Sequence, residues 1–324
     1  MLPVALLLVA AAGWTVWRCL PADENGMIAS AVIVETHSWY ELCADGRPVI
    51  FFTSLADDST AQNIASTSEA VRKTDLNAGC WINRMAVLPS CSGRIVTANP
   101  DSTLKSGDAK LIAKTARNTT ASLLKSLKAE NYELDYYLRV HGVQDDGYAT
   151  VAALSMKMKK MMRQAEAALK ILNSISPTRH LTLRRRCLCK AFYRDETGRI
   201  DSLVCIRRAV SHDRRAMLIQ TADGIVPSSA HPQTIVPWWT KDDNEILVTG
   251  FGGMAYTSMK SLKTAPVIVP GRKHGPVHDV PRLLAPDGSP VFASRGRFLG
   301  IVIGNRIFGR RDIKRLLRQE GGWL

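Results

Sequence analysis

The sequence is poor in cysteine, with seven among 324 residues. Small secreted domains that depend on disulfides carry a much larger share, so a disulfide framework is excluded as the main source of stability. The odd number leaves at least one thiol unpaired. Cys187 and Cys189 alternate near His180, but zinc ligands usually sit at a wider, turn-borne spacing. We interpret these cysteines as a buried thiol pair or as members of disulfides. We expect no bound metal and no cofactor.

Acidic residues are also scarce. Asp and Glu number 29 against 43 Lys and Arg, which gives a net charge of +14 and a sequence pI near 9.7. Such a balance favours an acidic partner, which could be nucleic acid, an anionic lipid surface or an acidic protein. Aromatic residues are only 6% of the chain and do not interleave with the basic clusters, so nucleic acid is the less expected of these partners. The clusters are Arg184–Arg186, Arg207–Arg208, Arg214–Arg215 and Arg310–Arg318.

A full-length apolar span is missing as well. The N-terminal run Leu2–Trp17 has no charged side chain but is only 16 residues long, shorter than the roughly 20 that a spanning helix needs. We interpret residues 1–20 as an uncleaved membrane anchor or a cleaved signal segment, with a buried helix as the remaining alternative. The first two readings place the protein on a membrane or outside the cytosol, in a bacterial cell envelope.

Proline is absent from Ser106 to His141, and there the apolar pattern becomes helical. Steps of three and four residues are typical of a helix packing along one stripe. A Gly-containing break at 142–147 separates two such stripes, so we predict an antiparallel helical hairpin over 106–176. The stripes are Leu124, Leu127, Asn131, Leu134 and Leu138, then Leu154, Met158, Met161, Ala165, Ala168, Leu172 and Ile175.

Outside the hairpin, short β-branched and aromatic runs follow one another, and Gly, Pro and Asp mark the turns. Consecutive strands without helices between them are not typical of helical or parallel α/β folds. They favour a mainly β fold with a pair of barrels. We expect a first barrel over 27–105, the remaining barrel strands, forming the second barrel, over 177–308, and a basic helix over 309–324. The expected strands are 28–35, 48–53, 79–83, 93–98, 180–193, 202–207, 216–221, 245–249, 266–269, 290–293 and 298–303.

Four segments, in this order, resemble the trypsin-like serine proteases, especially the high-temperature-requirement branch. They are Gly79–Ile82 with Gly93–Ala98, then Arg215–Ile219, then Ile246–Gly252, and finally Asp287–Phe292 with Arg295–Val302. The resemblance covers the chain outside the hairpin and the N-terminus. It implies a double β-barrel and a catalytic Ser-His-Asp triad.

The triad itself is missing at the matching positions. Pro100 stands where the family has its histidine, Arg214 where it has aspartate, and Asp287 where it has serine. Proline cannot accept a proton, and Asp213 is one residue away, which turns a strand side chain to the other face. Because loss of one triad member already costs several powers of ten in rate, the sequence predicts a catalytically inactive homologue that acts as a membrane-anchored binding or scaffold protein.

Two alternatives stay open. Ser289 could serve as a displaced nucleophile, with His212, His274 or His278 as its base, in an active serine endopeptidase. A basic surface could instead bind anionic lipid or nucleic acid. For the inactive reading we expect a protein or peptide partner, bound at Asp287, Gly288, Ser289, Gly250 and Gly252 or at the hairpin. Gly250–Gly253 lacks the Lys-Ser/Thr of a phosphate loop, so a nucleotide is not expected.

Overall fold

The computed structural model describes residues 21–56, 58–83, 92–100, 108–176, 178–235, 244–252 and 265–320. The four helices of this part are α1 (Glu24–Ser30), α2 (Ala109–Val140), α3 (Tyr148–Ser174) and α4 (Arg310–Glu320). The expected N-terminal anchor, residues 1–20, lies outside the described residues. None of the helices in the described ranges is long and apolar enough to span a bilayer.

Sixteen strands make the described part of the chain mainly β. The first nine are β1 (Ala31–Ala44), β2 (Arg47–Phe52), β3 (Ser54–Leu55), β4 (Ala61–Gln62), β5 (Lys73–Asn83), β6 (Arg94–Ala98), β7 (Leu181–Arg194), β8 (Ile200–Val210) and β9 (Ala216–Thr221). The others are β10 (Gln233–Thr234), β11 (Glu245–Gly250), β12 (Val267–His274), β13 (Val277–His278), β14 (Pro290–Ala293), β15 (Phe298–Ile303) and β16 (Arg306–Gly309).

The chain divides into two compact units. Of the described residues, those within 1–36, 74–103 and 188–324 form the first unit, and those within 37–73 and 104–187 form the second. Strands β1 and β7 are long enough to contribute residues to both.

Two closed six-stranded barrels are present. In the first, the strand order is β5-β6-β9-β8-β7-β1, and a further pairing of β1 with β5 closes the ring. In the second, β11-β12-β13-β16-β15-β14 close in the same way, with antiparallel neighbours throughout. Closure removes the exposed strand edges that would otherwise invite aggregation. The expectation of a mainly β fold with two barrels is confirmed.

A shared apolar core within the first unit joins strands of the two barrels to helix α4. Cys80 and Val96 from the first barrel cluster with Phe292 and Ile301 from the second. Helix α4 adds its buried face, Ile313, Leu316 and Leu317, to the same cluster. A shared core of this kind fixes the loops at the junction, which is where the candidate site lies.

The second unit is built around a helical hairpin. Helix α2 begins after Asp108, whose carboxylate accepts a hydrogen bond from the Lys110 amide. Ion pairs join Lys128 to Glu166 at 3.0 Å and Lys159 to Asp135 at 2.8 Å, so residue numbers rise on one helix as they fall on the other. The two helices are therefore antiparallel.

Several predicted boundaries differ from the observed ones. Residues 28–30 belong to helix α1 rather than to a strand, because Asp23 caps that helix and accepts a hydrogen bond from the Gly26 amide at 2.8 Å. Strand β5 begins at Lys73, six residues before the expected strand at 79–83. Strands β7, β8 and β9 close the first barrel, whereas the prediction put all of 177–308 into the second. The hairpin interrupts the first barrel between its third and fourth strands in chain order.

Candidate functional site

The end of strand β6 is tied to the turn between β8 and β9. The Asn99 amide donates to the Arg215 carbonyl at 2.7 Å, and its side-chain Nδ2 donates to the Arg214 carbonyl at 2.8 Å. Arg214 has a φ of 58°, a left-handed conformation that costs a non-glycine residue about 1 kcal/mol. Two of the three matched triad positions, Pro100 and Arg214, are therefore held in neighbouring segments.

The loop at the third position packs against the same end of the first barrel. The Ala78 amide donates to the Asp287 carbonyl at 2.9 Å. Gly288 has a φ of +94°, and a Cβ placed on it would come 1.8 Å from the Ala78 carbonyl oxygen and 3.1 Å from Thr97 Oγ1. Only glycine fits this close approach. The segment before Pro100 thus contacts the segment of Arg214 through Asn99. The loop of Asp287 contacts Ala78, on the strand paired with β6.

Asp287 at the nucleophile position is fully engaged. Its Oδ2 accepts from Arg282 Nη2 at 2.8 Å, and its Oδ1 accepts from the Gly304 amide at 2.7 Å. Oδ1 thereby ties the loop to the turn between β15 and β16, and Oδ2 forms an ion pair within the loop itself. The side chain at this position is a structural anchor.

Ser289, the alternative nucleophile, is completely buried. Its residue exposure is 0%, and its hydroxyl has no hydrogen-bond partner among the described residues. Consequently none of His212, His274 and His278 is bonded to it. A serine hydroxyl that is neither bonded to a base nor open to substrate cannot be activated as a nucleophile in this conformation.

His278 is the buried histidine of the three. Only 7% of the residue is exposed, and neither ring nitrogen makes a hydrogen bond of normal geometry with the described residues. Burial lowers its pKa, while the carboxylates of Asp279 and Asp287 and the Gly304 backbone oppose the shift without reversing it. His212 and His274 are exposed.

Two of the three glycines predicted to bind a partner, Gly250 and Gly288, lie where the packing leaves no room for a side chain, whereas a Cβ at Gly252 would meet nothing within 4 Å. Gly250 is buried, and a Cβ there would lie 1.9 Å from the Leu284 carbonyl oxygen. Gly288 and Ser289 are buried too. The predicted binding surface is therefore reduced to Asp287 and Gly252, which are both half-buried.

The described cysteines are free thiols: Cys43, Cys80, Cys187, Cys189 and Cys205. Burial raises the pKa of Cys43 and Cys80 and raises that of Cys205 to about 12. These three thiols are therefore protonated and unreactive near neutral pH. Within the described ranges, no group of three or more His, Cys, Asp or Glu residues could hold a metal ion.

Sequence reasoning missed a cleft on the first unit. It has a volume of about 490 Å³ and lies between the β8–β9 turn, strand β16 and helix α4. Arg215, Arg306 and Arg315 line it, and we call it the arginine cleft. These arginines are separated by up to 100 positions in the chain, so no local pattern could have indicated that they meet.

Comparisons with known proteins do not assign the chain to a family. No family model matches the chain, and no curated protein matches it. Among solved structures, one titled "Crystal structure of Deg5" matches with a TM-score of 0.35 and 11% identity, over 90% of this chain and 88% of that one. A likeness at that level carries no argument about function.

Proposed function

We propose that this protein has the trypsin-like double-barrel architecture without its catalysis, and that it acts by binding a protein or peptide partner while its N-terminal segment holds it at a membrane. One observation carries the loss of catalysis. The side chain at the nucleophile position, Asp287, is committed to Arg282 and to the Gly304 amide. The residues at the other two positions, Pro100 and Arg214, have no side-chain atom that can accept a proton from a nucleophile.

The displaced-triad alternative is disfavoured by the same geometry. Ser289 would have to leave its buried position and find an imidazole before it could attack a carbonyl carbon. Its backbone is held by hydrogen bonds to Pro286 and Val302, which oppose such a movement.

A binding role is supported by an apolar row on the hairpin. Tyr132, Tyr136 and Val140 follow one another at four-residue steps on helix α2, and they are 68%, 59% and 56% exposed. Residues four apart lie on one side of a helix. Exposed aromatic rows of this kind are typical of protein interaction surfaces, because tyrosine offers apolar area together with a polar tip.

The test is labelling of the full chain with a fluorophosphonate probe, alongside casein turnover. We expect neither stoichiometric labelling nor turnover above a buffer blank. Ser289→Ala is the control variant, because labelling that disappears in this variant would establish Ser289 as a nucleophile and overturn the proposal.

The same variant has a second readout. Ser289 Oγ is buried without a partner, so Ser289→Ala removes an unsatisfied hydroxyl and should leave the free energy of unfolding equal or raise it by about 1 kcal/mol. Ser211→Ala is the matched comparison, since Ser211 Oγ donates to Asp213 at 2.6 Å and accepts from the Ala216 amide at 3.0 Å. That change should lower stability by about 1–2 kcal/mol.

A further inference from the structure

The arginine cleft is formed by three guanidinium groups carried on three different elements. Arg215 comes from the β8–β9 turn, Arg306 from strand β16 and Arg315 from helix α4. All three are exposed, so their charges face the solvent that fills the cleft. Three like charges around one concavity repel one another, and this repulsion would be relieved by an anion.

The carboxylates in the cleft offset only part of this charge. Asp213 lies 3.5 Å from Arg215, and Asp312 lies 3.3 Å from Arg315. Burial raises the pKa of Asp213, but hydrogen bonds from Ser211 and the Arg215 amide outweigh it and keep the pKa below its usual value. The guanidinium of Arg306 has no ion-pair or hydrogen-bond partner among the described residues.

The positive surface continues along helix α4. Ile313, Leu316 and Leu317 form its buried face, and the exposed side carries Arg311, Lys314, Arg315 and Arg318. Successive members are one or three residues apart, so the charges form a track along the exposed side of an 11-residue helix. A helix of that length extends about 16 Å, which is longer than a single small anion.

The chemistry of the track favours a flexible phosphate chain. Each cation in the cleft is an arginine, whose planar fork donates two parallel hydrogen bonds to a phosphate. Phe308 is half-buried in the cleft wall, and a base can stack on an aromatic ring or on a guanidinium plane. A flat membrane surface would meet the outer side of α4 but could not follow the concave wall to Arg215 and Arg306.

We propose that the arginine cleft and the exposed side of α4 bind single-stranded nucleic acid without sequence preference. The cleft arginines hold consecutive phosphates, and Phe308 with the guanidinium planes supports the bases. This proposal does not depend on whether the barrels are catalytic, so it stands or falls separately from the function proposed above.

Fluorescence anisotropy with a labelled single-stranded oligonucleotide tests it on the full chain, over salt concentrations from about 50 to 200 mM. Binding should weaken with salt, with a slope of about −0.7 in log K against log salt for each phosphate contact. Arg306→Gln should reduce the magnitude of that slope by about 0.7. The triple variant with Arg215→Gln and Arg315→Gln added should reduce it by about 2.

Arg163→Gln is the matched control. Arg163 is an exposed arginine on α3 that does not line the cleft and has no partner among the described residues. Its loss should leave the slope unchanged, and equal slopes in Arg306→Gln and Arg163→Gln would show mere attraction by net charge and overturn the proposal. Because Arg306 is exposed and unpaired, its substitution should not affect the unfolding temperature.

Two other outcomes would also refute the proposal. One is the absence of oligonucleotide binding by the unsubstituted protein at the lowest salt. The other is binding to vesicles of mixed neutral and anionic phospholipid that is weakened by Arg306→Gln while oligonucleotide binding is not, which would assign the cleft to a membrane surface.

Discussion

At the scale of single residues, the candidate site is defined by side chains that cannot perform proton transfer. Pro100 has no titratable group, the Arg214 guanidinium has hydrogen-bond donors and no acceptor, and the Asp287 carboxylate is held by Arg282 and the Gly304 amide. Gly288 allows the loop to approach the Ala78 carbonyl so closely that no larger residue fits. The loop is therefore closely packed against the first barrel, and the Asp287 carboxylate is engaged within the protein.

His278 leads to a prediction about pH. Burial lowers its pKa from 6.5 in the folded protein, so the unfolded chain binds the proton first as the pH falls. The stability contributed by the neutral ring is fully present above about pH 6.5 and is lost as the pH falls below that value. Denaturant unfolding at several pH values should show the loss, with a slope from this residue of at most about 1.4 kcal/mol per pH unit.

The comparison is between two histidine substitutions. His278→Phe should flatten the acid side of the stability profile, because the ring that titrates on unfolding is gone. His274→Phe, at an exposed position four residues earlier, should leave the shape of the profile unchanged. Equal flattening in both variants would contradict the assignment to His278.

At the scale of elements, the hairpin shows how far a periodic pattern can be trusted. The predicted second stripe is buried at Met158, Ala165, Ala168, Leu172 and Ile175. Its first member, Leu154, is 45% exposed, and Met161 is 37% exposed. The heptad pattern correctly predicts which face of the helix is buried. How far each residue on that face is buried depends on whether its helical turn contacts other elements of the unit.

Two leucines of that stripe make a direct test. Leu172 is 0% exposed and packs in the core with Ile112 and Ala116, so Leu172→Ala should cost about 2–5 kcal/mol of unfolding free energy. Leu154→Ala is the same substitution on the same stripe at an exposed turn, and it should cost less than about 1 kcal/mol. Chemical denaturation of both variants checks this, and similar losses would show that the packing of the hairpin has been misjudged.

At the scale of the whole molecule, the N-terminal run and the net charge of +14 suggest a protein that works next to anionic partners. The membrane part of this proposal rests on the sequence of residues 2–17. Replacing Leu7 and Val9 by lysine in the full chain adds two charges to the run, at about 2.5–3.5 kcal/mol each in the middle of a membrane helix.

Those two substitutions should release the protein from the membrane fraction during carbonate extraction. Substitution of two exposed residues outside the run, Lys157 and Lys160 by glutamine, should leave the fractionation unchanged. If the unsubstituted chain is already soluble under these conditions, membrane anchoring is excluded.

The sequence alone determined the strand-rich composition and the antiparallel hairpin with its buried face. These features depend on local periodicity or on residue identity, which can be read within a short window. Only the tertiary structure decided that β7, β8 and β9 close the first barrel, that Ser289 is sealed from solvent, and that Arg215 meets Arg306 and Arg315 in one cleft. Each of these depends on pairing or packing between segments far apart in the chain, and no local pattern specifies which distant partner a strand or loop will contact.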